Sequence, residues 1–222
     1  MVKAILGKIK QRKPLTWLLV FFLIPFQASC VNLNNKDLVK AYYQSFNYEK
    51  MADYKDAIRS IMPVYEKYPQ GYTVNLRLGW LYYLNKNYAD SIRFYKNAEY
   101  LIPSSIEPVL GMALPLMAQK KWSDVEDLMY KVIKIDYYNY YANLRLAIAL
   151  RMENKLNQAR KIVDKMLALY PTDVNFLDEL GLIYFAEGKK KYAKSVFGNV
   201  LVLDPQNVTA KIYYFEKLKG VK

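Results

Sequence analysis

Val174–Asn207, VNFLDELGLIYFAEGKKKYAKSVFGNVLVLDPQN, is one full copy of a unit that recurs every 34 residues. Counted back by that period, Pro205 is followed by Pro171, Tyr137, Pro103 and Pro69. Ala193 leads to Ala159, Val125, Ser91 and Ala57, all small or β-branched. Gly181 leads to Ala147, Ala113, Gly79 and Ser45, all small. Phe197 leads to Val163, Met129, Tyr95 and Ile61, all bulky and apolar. The string NLRL stands at Asn75–Leu78 and again at Asn143–Leu146, two periods apart. Independent columns that agree on one period, with no insertion, are the mark of a solenoid.

Each unit holds two amphipathic helical patterns split by a polar turn: Lys86-Asn87, Lys120-Lys121, Asn154-Lys155 and Gly188-Lys189. Small residues such as Gly79, Gly181, Ala57, Ala159 and Ala193 let helices approach closely, and Tyr82, Tyr184, Tyr95 and Phe197 fill the space between. A lone helical pair cannot bury its apolar face, so neighbouring units must stack. Proline after the second helix ends it and orients the next unit.

These columns resemble the tetratricopeptide repeat (TPR) family, whose signature positions fall on Leu180, Gly181, Tyr184, Gly188, Ala193, Phe197 and Pro205. The resemblance implies an all-α, right-handed superhelical solenoid of five TPR helical hairpins plus a C-terminal capping helix. The units are 38–71, 72–105, 106–139, 140–173 and 174–207, and the cap is 208–222. The pattern departs most in 106–139, where Tyr137 replaces proline and Pro115 is expected to interrupt the first helix. Pro63 is expected to bend or weaken the second helix of the first unit. Ser104 and Glu107 read as an S-x-x-E capping box. Asn207 reads as the N-cap of the last helix and Gly220 as its stop.

The 222 residues suit one substantial domain plus a short appendage, and a hydrophobic fraction of 53% excludes disorder. The 22 tyrosines read mainly as inter-helix fillers with a polar tip. That includes most of Tyr137, Tyr138, Tyr140 and Tyr141 at the junction of the third and fourth units. Histidine is absent, which removes the commonest general base and metal ligand. A single cysteine allows neither an intrachain disulfide nor a cysteine metal cluster. No P-loop, G-x-S-x-G or dinucleotide glycine motif occurs, so the chain reads as non-catalytic, with no cofactor and no metal.

The net charge is +13, and Lys3, Lys8, Lys10, Arg12 and Lys13 all precede the apolar run Leu15–Phe26. That run of 12 is short for a membrane span, which needs roughly 20 residues. Basic start, apolar run and then Gln27, Ala28, Ser29 and Cys30 resemble a secretion signal, 1–30. With two small residues before the sole cysteine, the order is similar to a lipoprotein signal, in which Cys30 would be acylated. Gln27 departs from that pattern, and cleaved soluble export or an uncleaved anchor stay as alternatives. Residues 31–37 read as a short tether, placing the solenoid at the outer, periplasmic face of a membrane.

In TPR proteins the first helix of each unit lines a concave groove. Carried over, the groove positions are Tyr42, Phe46 and Glu49; Leu76, Trp80 and Tyr83; Leu110, Leu114 and Met117; Leu144, Ile148 and Arg151; Asp178, Leu182 and Phe185. The set is apolar and aromatic and suits an amphipathic helix or an extended apolar peptide of a protein partner. It lacks the Lys/Asn pattern by which chaperone-binding TPR domains grip a terminal carboxylate. The alternative is that these side chains pack on one another. A second surface is basic: Lys55, Lys86, Lys120, Lys121, Lys155, Lys189, Lys190 and Lys191 stand at or beside the turns inside each unit. Stacking would align them along one edge, facing solvent, anionic lipid or an acidic partner. Nucleic acid is not expected, because the lysines are not interleaved with stacking aromatics. The expected function is a protein-interaction scaffold that aids assembly at the cell envelope, and the alternative is a self-assembling structural protein.

Overall fold

The computed structural model describes residues 36–221. The signal-like segment 1–30, with Cys30, and the tether as far as residue 35 lie outside them. All regular structure among the described residues is helical, and none of their helices is long and apolar enough to cross a membrane. Five antiparallel pairs follow one another: α1 (Lys36–Lys50) with α2 (Tyr54–Lys67), α3 (Tyr72–Leu84) with α4 (Tyr88–Leu101), and α5 (Glu107–Ala118) with α6 (Trp122–Ile135). The fourth and fifth pairs are α7 (Tyr140–Met152) with α8 (Leu156–Leu167) and α9 (Val174–Ala186) with α10 (Lys190–Leu203). Helix α1 starts at Lys36, so Lys36 and Asp37, expected in the tether, are helical.

The repeat columns become buried columns. Ala57, Val125, Ala159 and Ala193 are fully buried along the second helices, as is Ser91, whose Oγ donates to the Gly79 carbonyl at 2.7 Å. Ile61, Tyr95, Met129, Val163 and Phe197 are buried beside them. Opposite stand the small residues Ser45, Gly79, Ala113, Ala147 and Gly181. A Cβ added at Gly181 would lie 2.7 Å from the Phe197 ring, and one at Gly79 would lie 2.9 Å from Tyr95. Gly111 is tighter still, 2.3 Å from the same tyrosine, so Tyr95 is wedged between α3 and α5. Burial drives the Tyr95 phenol well above its ordinary pKa.

The turns obey the same register. Ala52, Lys86, Lys120, Asn154 and Gly188, each 34 residues from the next, hold φ between 58° and 74°. One left-handed residue closes each hairpin, although only the last is glycine. At the other edge the NLRL strings explain themselves: Asn75 Nδ2 donates to the carbonyls of Pro69 and Gly71, and Asn143 Nδ2 to those of Tyr137 and Asn139. Asp136 ends α6 with φ −129° and ψ 92°, matching the pre-proline residues Tyr68, Ile102 and Asp204, so Tyr137 is tolerated in place of proline.

Three local expectations are corrected. Helix α5 runs unbroken through Pro115, which lies three residues from its end, where little helix remains to be disrupted. Ser104 caps nothing: α5 starts at Glu107 after Ile106, and it is Ser105 Oγ that accepts the Glu107 amide. The Glu107 carboxylate instead accepts from Tyr72 Oη of the preceding unit at 2.8 Å, and burial with this pairing pushes the phenol up to about 12. The tyrosine cluster is mostly surface: Tyr140 packs on Phe176 and donates to Asp173, whereas Tyr137, Tyr138 and Tyr141 are exposed. Pro63 sits on the exposed side of α2, which continues to Lys67.

Asn207 caps α11 (Val208–Lys211), accepting the Ala210 amide at 2.7 Å. The helix passes directly into a π-helical segment, Ile212–Lys217, and Gly220 follows at φ 91°. Ala210, Tyr213, Tyr214 and Leu218 pack on Ala193, Phe197 and Val200 of the last hairpin, as a terminal cap must.

Candidate partner groove and lysine edge

The first helices α1, α3, α5, α7 and α9 present the expected groove positions in the 34-residue register. Tyr42, Leu76, Trp80, Tyr83, Leu110, Leu114, Met117, Leu144, Ile148, Arg151, Leu182 and Phe185 are all half-buried, and Phe46 is exposed. Several of these side chains are already engaged with neighbours. Tyr42 Oη donates to Thr73 Oγ1 at 3.2 Å, and desolvation raises its pKa. Trp80 lies 5.6 Å from Tyr83, and its Nε1 donates to Glu49 Oε1 at 2.7 Å. Phe185 sits edge-on to Tyr213 of the cap at 4.9 Å.

The first helices are more polar than the groove positions alone suggest. Arg77, almost wholly buried, pairs with Glu49, donates to Ser45 Oγ at 3.0 Å and lies 3.8 Å over the Phe46 ring. Arg145 donates to the Leu110 carbonyl at 2.6 Å, and burial lowers its pKa. Arg151 grips Glu179 through Nε at 2.7 Å and Nη2 at 3.1 Å. Asp178 accepts from Asn207 Nδ2 at 2.7 Å, and burial raises its carboxyl pKa. Arg77, Arg145 and Glu179 are not among the groove positions expected from the repeat register. They occupy a single column, 77–111–145–179, whose second member is Gly111, and the arginine of NLRL was its signal. The pairs Glu49–Arg77 and Arg151–Glu179 are both 28 residues apart with the signs exchanged. The same inter-unit bridge is therefore built twice, in opposite polarity.

The lysine residues do line the turns inside the hairpins. Lys86 and Lys120 hold the left-handed turn position, Lys121, Lys155 and Lys189 are the N-caps of α6, α8 and α10, and Lys190 and Lys191 follow. The row is not bare charge. Lys155 pairs with Glu126 at 2.7 Å and Glu153 at 2.9 Å, which raises its pKa, and Lys189 pairs with Glu187 at 2.8 Å. In the first two units the corresponding N-caps are Asp53 and Asn87, whose side chains accept the amides of Asp56 and Asp90. The three lysines make no such bond and place a cation at the positive end of the helix dipole. Lys121→Asn should therefore stabilise the protein by about 0.5–2 kcal/mol, read from the urea midpoint. A midpoint that falls would show that Lys121 has a stabilising contact of its own.

No protein-family model and no curated protein sequence matches the chain. Solved structures do match. PilW, described as a widely conserved type IV pilus biogenesis factor, is 17% identical, covering 83% of this chain and 85% of its own, with a TM-score of 0.72. MamA from Desulfovibrio magneticus RS-1 is 14% identical, covering 78% of this chain and 98% of its own, with a TM-score of 0.69. A thermophilic TPR protein of Thermus thermophilus, TTC0263, is 11% identical, covering 79% of this chain and 96% of its own, with a TM-score of 0.63. The described residues form an all-α, right-handed solenoid with the tetratricopeptide-repeat fold, five helical hairpins closed by a C-terminal cap.

Proposed function

We propose that the chain is a non-catalytic scaffold at the cell envelope that holds an apolar or amphipathic helix of a partner protein along its first-helix trough, and so aids assembly of an envelope complex. The observation that carries this reading is the aromatic stretch Phe46, Trp80 and Tyr83, which stays partly open while the core columns beneath it are closed. Such half-open aromatics are the usual anchors of a bound helix. The fold likeness to PilW supports an envelope setting, as does the leader-like order of residues 1–30. Within this reading Cys30 carries the lipid that keeps the protein at the periplasmic face of a membrane.

The test is crosslinking in the native cell, followed by identification of what is attached to the trough. Phe46→Ala with Trp80→Ala should abolish that attachment while the helical circular dichroism is kept. Because Trp80 also braces Glu49, the thermal melt of the double variant is recorded alongside. Attachment that is unchanged in a folded double variant removes the trough from consideration.

A second reading, end-to-end self-assembly, draws on the two ends of the array. Val39, Tyr43 and Phe46 leave one face of α1 uncovered, and Ile212 and Phe215 are exposed on the cap. Sedimentation of the same protein over a range of concentrations separates the two, since a stable monomer contradicts self-assembly.

A further inference from the structure

The two edges of the solenoid differ in chemistry. One carries the turns inside hairpins, with their lysines. The other carries the turns between hairpins, where the second helices end and the next first helices begin. Along this second edge large apolar side chains stand in water at one helix end after another. Tyr100 is 84% exposed at the end of α4, Ile135 66% at the end of α6 and Val202 81% at the end of α10. Leu169 follows α8, and Tyr137 and Tyr138 stand together between α6 and α7. Isolated exposed apolar residues need no explanation, but a row repeated along an edge marks a contact surface.

Helix α1 also begins on this edge. It is antiparallel to α2, so Lys36 lies at the end where α2 terminates, and Tyr42 in its second turn bonds Thr73 in the first turn of α3. Only residues 31–35 separate Cys30 from Lys36. Fully extended, that link spans at most about 20 Å. The lysine turns lie one helix length further away, also about 20 Å for helices of this size.

We infer that the edge bearing the inter-hairpin turns rests against the lipid–water interface of the membrane to which the lipid on Cys30 tethers the chain, with the lysine turns facing away. This rests on the membrane anchoring proposed above. Half of the row is tyrosine, whose apolar ring and polar tip match the headgroup level of a bilayer. Charges on this edge alternate in sign, Glu66 beside Lys67 and Lys134 near Asp136, so it suits zwitterionic headgroups rather than a strongly anionic surface. The lysine turns are then left for an acidic partner on the side away from the bilayer.

The chain carrying its lipid on Cys30 is incorporated into vesicles of phosphatidylcholine and phosphatidylethanolamine, with a photoreactive side chain in place of Ser104 or Thr172 on the inter-hairpin edge, or of Lys121 or Lys191 on the other. All four positions are exposed, so the fold tolerates the replacement. After illumination, lipid adducts should be several-fold more abundant from Ser104 and Thr172 than from Lys121 and Lys191. Combined Tyr100→Ser, Tyr137→Ser and Tyr138→Ser should lower the Thr172 adduct while the chain still floats with the vesicles. Equal yields from the two edges, or more from the lysine edge, overturn the orientation and leave anchoring intact. A chain that does not float with the vesicles overturns anchoring and orientation together. Adducts from Thr172 to a second copy of the chain, in place of lipid, overturn the inference in favour of self-association.

Discussion

Glu49→Ala is expected to remove about 3–5 kcal/mol of stability from the N-terminal end of the solenoid, because it strands a buried arginine. The Arg77 side chain is only 6% exposed, and Glu49 is its one acidic partner among the described residues. Ser45 Oγ and the Phe46 ring also touch the guanidinium, but neither carries a compensating charge. The second Glu49 oxygen accepts from Trp80, so the same substitution orphans an indole N–H as well. Glu49→Leu combined with Arg77→Met should recover much of the loss, since two apolar groups of similar size replace a pair whose desolvation offsets its attraction. In a quasi-one-dimensional array the damage should stay local. Amide exchange would accelerate in α1 to α3 before it does in α7 to α10. A Glu49→Ala variant within about 0.5 kcal/mol of the parent, the size of an ordinary surface change, would show that water reaches Arg77.

The Glu49–Arg77 bridge also shows where the sequence was legible and where it was not. The period of 34 made the hairpins, the small and large columns and the cap readable, because each column repeats one packing contact five times and errors in one unit are corrected by the others. Residues that pack between units only once carry no such redundancy. Arg77, Gly111, Arg145 and Glu179 share one column yet differ in size and charge, and only three-dimensional stacking shows that each answers a different neighbour. The first-helix positions follow from the register, but their polar bonds do not: no spacing predicts that the half-buried Trp80 donates its N–H to Glu49. The exposed tyrosines failed as core filler for a related reason. Their spacing places Tyr137 and Tyr138 in the turn ahead of the Asn139 N-cap, beyond the reach of the helical columns.

Phe197→Ala should cost about 3–5 kcal/mol, and it should also reverse the sign of a second substitution. Phe197 is fully buried, lies against Gly181 and stacks on Tyr213 of the cap with ring centroids 5.0 Å apart. In the parent, Gly181→Ala drives a methyl to 2.7 Å from the Phe197 ring. Overpacking of this kind costs about 1–3 kcal/mol, against a gain of about 1 kcal/mol from replacing glycine inside a helix. The ring is held on its other side by the cap, so it has little room to yield and the net effect is destabilising. Once Phe197 is alanine the obstacle is gone. Gly181→Ala then fills part of the cavity and keeps its propensity gain, and the same change becomes stabilising. The double-mutant cycle, measured by urea unfolding, should show a coupling within the range of about 0.5–3 kcal/mol found for residues in contact. Additive single effects would mean that the ring shifts freely, and that close approach of α9 and α10 does not depend on glycine. Loss of the Phe197 ring also removes the stacking partner of Tyr213, so exchange in 208–217 should rise with it, because among the described residues the core of the cap is built on this hairpin.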